Sequence, residues 1–191
     1  FDKCIALQNI PVGLFDKCTE AKSFQNTFYC TGIKAIPEGL FDKCTKATDF
    51  SECFAYCLAL TEIPEGLFDK CPEVTDFGRM FTGSTALTSI PTGLFDKNTK
   101  VETFNSLFEG CTGITSIPEG LFDKNTEVTN FAGAFQRTKI TEIPAGLFKN
   151  NKKAEYFGAT FLQCSMLQSI PSGLFDNCTN ALGFSSTFAW C

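Results

Sequence analysis

The chain has 191 residues, enough for one ordinary domain or one stack of repeats, with 21 acidic side chains, 16 basic ones and no histidine. A net charge of −5 argues against nucleic acid and acidic membrane surfaces as partners, and no apolar run approaches the roughly 18–20 residues of a membrane span. Without histidine, the commonest general base and the commonest metal ligand are both missing.

The chain opens on FDKC at Phe1, followed by IALQNIP. From Ile10 onward the motif IPxGLF starts at Ile10, Ile36, Ile63, Ile90, Ile117, Ile143 and Ile170, a period of 26 or 27 residues. A Phe follows each motif proline by 13 residues (Phe24, Phe50, Phe77, Phe104, Phe131, Phe157, Phe184). Another comes four residues later (Phe28, Phe54, Phe81, Phe108, Phe135, Phe161, Phe188), so with Phe1 and the seven GLF phenylalanines the grid absorbs all 22. Repeats of this length signal a solenoid in which each unit buries its apolar face only against its neighbours. Residues 1–191 are therefore expected to form a single repeat array of about seven coils, cut mid-coil at both ends, with either flanking coils or end-to-end copies covering the terminal layers. The two 26-residue coils lose a residue just after the second Phe, near Tyr29 and Gln136, which predicts a surface turn there.

Within each coil a finer template, F-xx-[CN]-xx-Φ-xx-Φ, occurs twice, and Phe1–Cys4 belongs to the second copy. The expected coil thus has two short parallel strands on opposite sides, each stacked on its copies along the axis and preceded by a tight helical or irregular turn. In FSECFAYC, Phe50, Cys53, Phe54 and Cys57 fall at i, i+3, i+4 and i+7, one face of about two helical turns. LTEI then reads as a short strand stopped by Pro64, and I-P-E-G as a type I turn. Ile63, Leu67, Phe68, Val74, Phe77, Phe81 and Leu87 would form one apolar layer, repeated about every 4.8 Å.

The pattern L-xx-IPxGLFDKN-xx-V-xx-F resembles a leucine-rich repeat, and IPEGLFDK is similar to the LPxGxFDxL stretch of extracellular members. The half-repeat F-xx-C-xx-L-xx-I-P resembles BspA-like repeats of bacterial surface proteins. The whole unit is similar to the related repeats, about 25 residues long, of mycoplasmal and gut-bacterial surface proteins. The resemblance spans the whole chain and implies a β-rich solenoid with a binding or adhesive role, an extracellular or cell-surface location and no cofactor. Phe stands where many Leu are expected and the coil is long, which leaves room for a straighter, two-sheet coil.

The slot after FDK holds Cys18, Cys44, Cys71, Asn98, Asn125, Asn151 and Cys178. Parallel Cβ atoms about 4.8 Å apart exceed the usual disulfide separation, and Asn in three coils breaks any pairing. A metal cluster lacks both histidine and a CxxC pair. A buried ladder that bonds turn backbone fits both residue types, and the resemblance assigns this slot the same role. A second column is read as Cys4, Cys30, Cys57, Ser84, Cys111, Cys164 and Cys191, with Cys53 outside both. The Asp column (Asp16, Asp42, Asp69, Asp96, Asp123, Asp176, interrupted by Lys149) is read as turn surface, with Asp bonded to the local turn, rather than as a calcium site.

The exposed strand positions are the ligand-face candidates: Thr61, Glu62, Thr88, Ser89, Thr115, Ser116, Thr141 and Glu142 on one side. The other side carries Thr48, Asp49, Thr75, Asp76, Glu102, Thr103, Thr129 and Asn130. Tyr29, Tyr56, Tyr156 and Trp190 lie off the Phe grid, scattered over different coils. Asn177-Cys178-Thr179 matches a glycosylation acceptor pattern. No nucleophile–base pair or phosphate loop stands out from the repeat. Two classes of function remain: a non-catalytic module binding a protein or glycan at a cell surface, or a structural spacer in a fibre, surface layer or viral appendage.

Overall fold

The computed structural model describes all 191 residues. Phenylalanine builds the solenoid. Phe1 stacks on Phe28, and the column continues through Phe54, Phe81, Phe108, Phe135 and Phe161 to Phe188, with ring centroids 5.3–6.0 Å apart and planes within 20°. The GLF phenylalanines form a second column from Phe15 to Phe175, and Phe24 to Phe184 form a third. These two interlock edge-on, as where Phe41 meets Phe50 at 4.7 Å and 71°. Parallel rings slip sideways to avoid face-to-face repulsion between their π-clouds, so their centroids stand farther apart than a 4.8 Å strand spacing. Leu, Ile, Val and Cys close the layers into one continuous core running from Ile10 to Cys178.

Neither the expected helical turns nor two stacked sheets form. Over 50–57 and its copies the chain makes a ribbon of consecutive turns. Arg79 and Gly83 take positive φ (58° and 70°), as do Glu52 and Tyr56 one coil earlier. Met80 and Thr82 N–H donate three residues back within the coil, to Phe77 and Arg79. The alternate N–H groups of Phe77, Arg79, Phe81 and Gly83 donate instead to Thr103, Asn105, Leu107 and Glu109 of the next coil at 2.6–3.3 Å. A positive φ costs a non-glycine residue about 1–2 kcal/mol, and the four inter-coil bonds offset it. The ribbon repeats every four residues and so turns Phe77 and Phe81 inward as a helix would, which is why sequence spacing reads it as helical.

One side of each coil carries a short parallel contact. Single-residue bridges run through Ser23, Asp49, Asp76, Thr103, Asn130, Tyr156 and Gly183. The opposite side, where LTEI and its copies lie, is open and forms no strand. There, inter-coil contact falls to isolated bonds such as Thr61 N–H to Lys34 at 3.4 Å and Thr88 N–H to Thr61 at 3.4 Å.

The IPxG turn also differs from its expected type. Pro37 accepts from Leu40 N–H, so the turn begins one residue late, and Gly39 sits at its third position with φ 67°. Positive φ at that position is the mark of a type II turn and favours glycine.

The end layers are exposed on both sides of the stack, with Val12 85% and Trp190 80% accessible.

Candidate functional site

From Cys44 to Cys178 the Cys/Asn slot is buried and bonded to backbone, whereas Cys18 in the first coil is exposed. Asn98 Nδ2 donates to the carbonyls of Phe68 (3.1 Å) and Cys71 (2.8 Å); Asn125 and Asn151 repeat the pair one coil on each time. Cysteine makes only one longer contact, as from Cys71 Sγ to Phe41 O at 3.6 Å. The three Asn Oδ1 atoms are buried without a partner. Asparagine therefore gains a donor bond over cysteine but strands an acceptor, and the two residues interchange because these effects oppose one another. All eleven cysteines are free thiols. Burial pushes Cys71 and Cys111 up to about 12, and Cys44, Cys164 and Cys178 up to about 11. They stay protonated at neutral pH and are poor nucleophiles or metal ligands.

The second column needs one correction. Its first full rung is Thr31, not Cys30: Thr31 is buried, donates to Phe28 O at 2.9 Å and meets Cys57 Sγ at 3.5 Å. Thr138 fills the same place in the other short coil. The missing residue thus falls after the rung, between Thr31 and Ile33, and leaves a notch of about 290 Å³ lined by Ile5, Cys30, Tyr56, Leu58 and Ala59 among others. Tyr29 and Tyr56 meet beside it at 5.5 Å, so the structure brings together two of the four scattered aromatics.

The bridge-side face bonds its own backbone. Asp49, Asp76 and Asn130 each accept the N–H two residues on through Oδ1, and Ser23 and Thr103 do so through their hydroxyls, which starts the turn ribbon. Burial, then the neighbouring Asp49 and Glu102 carboxylates, hold the Asp76 carboxyl above its ordinary value against the Gly78 N–H bond.

The Asp column does not bond its own turn backbone as expected. Each carboxylate covers the glycine three residues earlier, with Asp42 Oδ2 3.1 Å from where a Gly39 Cβ would stand. In the coil where Lys149 replaces Asp, Gly146 lacks the positive φ of the other motif glycines, and Lys149 Nζ pairs back to Asp123 at 2.8 Å.

The first candidate face lies along the open side. Thr61, Glu62, Thr88, Ser89, Thr115, Ser116 and Glu142 are exposed and Thr141 is half-buried. The backbone N–H groups of Glu62, Ser89, Ser116 and Glu142 have no acceptor within the chain. Glu62 and Ser89 also line a groove of about 360 Å³ with Ile36, Glu38, Pro64 and Glu65. Asn177 and Thr179 of the acceptor pattern sit exposed on a turn.

Two features escaped a reading confined to apolar and cysteine columns. Two residues past the Cys/Asn slot, charge alternates along the axis as Glu20, Lys46, Glu73, Lys100, Glu127, Lys153, with ion pairs 20–46 and 73–100 at 2.6 Å and a third between Glu127 and Lys153. In the IPxG variable position, by contrast, Glu38 and Glu65 line one groove of about 410 Å³ with Asp42, Asp69 and Lys70.

A scan against protein-family models finds no match, and no curated protein is similar in sequence. Solved structures are similar in shape. The leucine-rich repeat domain of APL1 superposes with a TM-score of 0.56 at 15% identity, covering 81% of this chain and 38% of that one. The fold is a leucine-rich-repeat solenoid. A plant peptide hormone receptor, RGFR1, solved in complex with RGF2, gives 0.53 at 21% identity over 85% of this chain and 26% of the receptor. The solenoid described here thus spans well under half the length of these chains.

Proposed function

We propose that this leucine-rich-repeat solenoid is a non-catalytic binding module, secreted or held at a cell surface, whose protein or glycan ligand lies on the open face. The observation that carries the reading is the set of polar side chains from Thr61 to Glu142, mostly exposed, on backbone whose N–H groups at Glu62, Ser89, Ser116 and Glu142 are unused. Such a face offers hydrogen-bond donors that a ligand can take without displacing an intramolecular partner. The fold likeness to a peptide hormone receptor supports a binding role. The resemblance of the repeats to BspA-like and mycoplasmal-type surface repeats supports the location and an adhesive use.

The test is a glycan and surface-protein array probed with this chain, followed by Thr88→Arg/Ser116→Arg on the open face and Thr99→Arg on another exposed ridge. Hits lost with the first variant and kept with the second support the assignment. An empty array, with light scattering that grows with concentration through end-to-end stacking, replaces it with a structural spacer.

A further inference from the structure

Asn177-Cys178-Thr179 departs from the repeat in one residue. Among the ten asparagines of the chain, Asn177 alone has a Ser or Thr two residues on, with a residue other than proline between. The threonine belongs to the repeat, since Thr19, Thr45, Thr99 and Thr126 stand at the same offset from the Cys/Asn slot. The asparagine does not. Five of the other six coils carry Lys17, Lys43, Lys70, Lys97 or Lys124 there, and the sixth carries Asn150 with Lys152 in place of the threonine.

Two consecutive turns hold the three residues. Cys178 N–H donates to Phe175 O at 2.9 Å, and Ala181 N–H donates to Cys178 O at 3.1 Å. Asn177 is therefore third in the first turn and Thr179 second in the next. The middle residue is drawn inward: Cys178 is buried, with its thiol 3.8 Å from Phe148 O. Its neighbours on both sides are exposed. Asn150 spends its Nδ2 on Asp123 O at 3.0 Å, whereas the Asn177 amide and the Thr179 hydroxyl bond nothing in the chain. Modifying an amide bonded like that of Asn150 forfeits the bond, and modifying Asn177 forfeits none. A bulky, solvated substituent at Asn177 also displaces no packed side chain.

Building on the secreted or cell-surface reading above, we propose that Asn177 is an N-glycosylation site whose substrate is an oligosaccharide carried on a lipid pyrophosphate. A bond forms between Asn177 Nδ2 and C1 of the first sugar, and the bond from C1 to the pyrophosphate oxygen breaks. The amide loses one proton and the lipid pyrophosphate leaves. Thr179 supplies the hydroxyl that the transferase requires two residues on.

The test translates the whole chain behind a cleavable signal peptide with microsomes, which present it to the transferase whatever its own location. The expected result is a single upward step in mass that peptide N-glycosidase F reverses. It is lost in Asn177→Gln and in Thr179→Ala and kept in Thr179→Ser. The glycosylated chain secreted by a eukaryotic cell line is expected to melt at the same temperature before and after removal of the glycan. An unmodified chain, in microsomes that glycosylate a control protein, overturns the site and leaves the binding module standing. A step that survives Asn177→Gln puts the glycan elsewhere and also overturns it. A melting temperature lowered by the glycan contradicts the open geometry on which the site rests. Modification at Asn177 together with an empty ligand array keeps the site and removes the binding module.

Discussion

Asn98 Nδ2 donates at 2.8 Å to the carbonyl of Cys71, the residue that holds its own place one coil earlier. Each asparagine rung thus fastens the rung before it, whereas a cysteine rung reaches only the GLF phenylalanine carbonyl of the coil before, at 3.6 Å from Cys71 Sγ to Phe41 O. Cys71→Asn is expected to change stability by less than about 1 kcal/mol, because two added bonds are set against a buried, partnerless Oδ1. Asn98→Leu removes both donors from buried carbonyls and is expected to cost about 1–3 kcal/mol. Urea unfolding of the two variants checks the contrast.

The thiols follow from the same column. Cys4, Cys18 and Cys191 are exposed, and Cys44, Cys53, Cys57, Cys71, Cys111, Cys164 and Cys178 are buried. Native protein is expected to give two fast-reacting thiols, Cys4 and Cys18, with an aromatic disulfide reagent and slower ones at half-exposed Cys30 and at Cys191, whose pKa burial raises and whose thiol donates to Phe161 O, the remainder reacting only after unfolding. Reductant is expected to leave the melting temperature unchanged. A large drop would mean that disulfides hold the stack.

Much of this was legible in the sequence. The Phe grid, the period and the interchange of Cys with Asn each follow from one residue type recurring at one offset, and the structure places them in three aromatic columns and one bonded ladder. What the spacing could not resolve was backbone conformation. Phe77 and Phe81 are four apart in a helix and in a turn ribbon alike, and the ribbon is decided by Arg79 and Gly83 at positive φ, a property that Arg does not advertise. Cys30 matches the second column by residue type, whereas Thr31 keeps its three-residue spacing from Phe28. Charge partners such as Glu20 and Lys46 are 26 residues apart and emerge only when the repeat is read down each column.

The turn glycines differ in a way that substitution can expose. Gly39 has φ 67° and lies under the Asp42 carboxylate, whereas Gly146 has no positive φ and faces the flexible stem of Lys149. Gly39→Ala is expected to cost about 1–2 kcal/mol from the left-handed backbone alone. Gly146→Ala is expected to be neutral, or to stabilise by up to about 1 kcal/mol by restricting the unfolded chain. Paired thermal melts decide between them.

Asp76 gives a pH signature. Its carboxyl is held above the ordinary value chiefly by burial and then by Asp49 and Glu102, so its protonated form is the one the fold prefers. The linked stability is present below the unfolded carboxylate value, near 3.9, and is lost as pH rises through the raised folded value. Asp76→Asn keeps the bond to Gly78, as Asn130 does for Ala132. It is expected to raise the melting temperature at pH 7 by up to about 2 °C and to leave it unchanged near pH 3. An equal gain at both pH values would remove the charge explanation.

The coils are bonded firmly through the turn ribbon and left open on the face proposed for a ligand. Amide hydrogen exchange reads this residue by residue. Slow exchange is predicted at Phe77, Arg79, Phe81 and Gly83, whose N–H groups reach the next coil, and fast exchange at Glu62, Ser89, Ser116 and Glu142, whose N–H groups reach nothing. Equal protection at Ser89 and Ser116 would mean a second bonded sheet on that side and would contradict the open face.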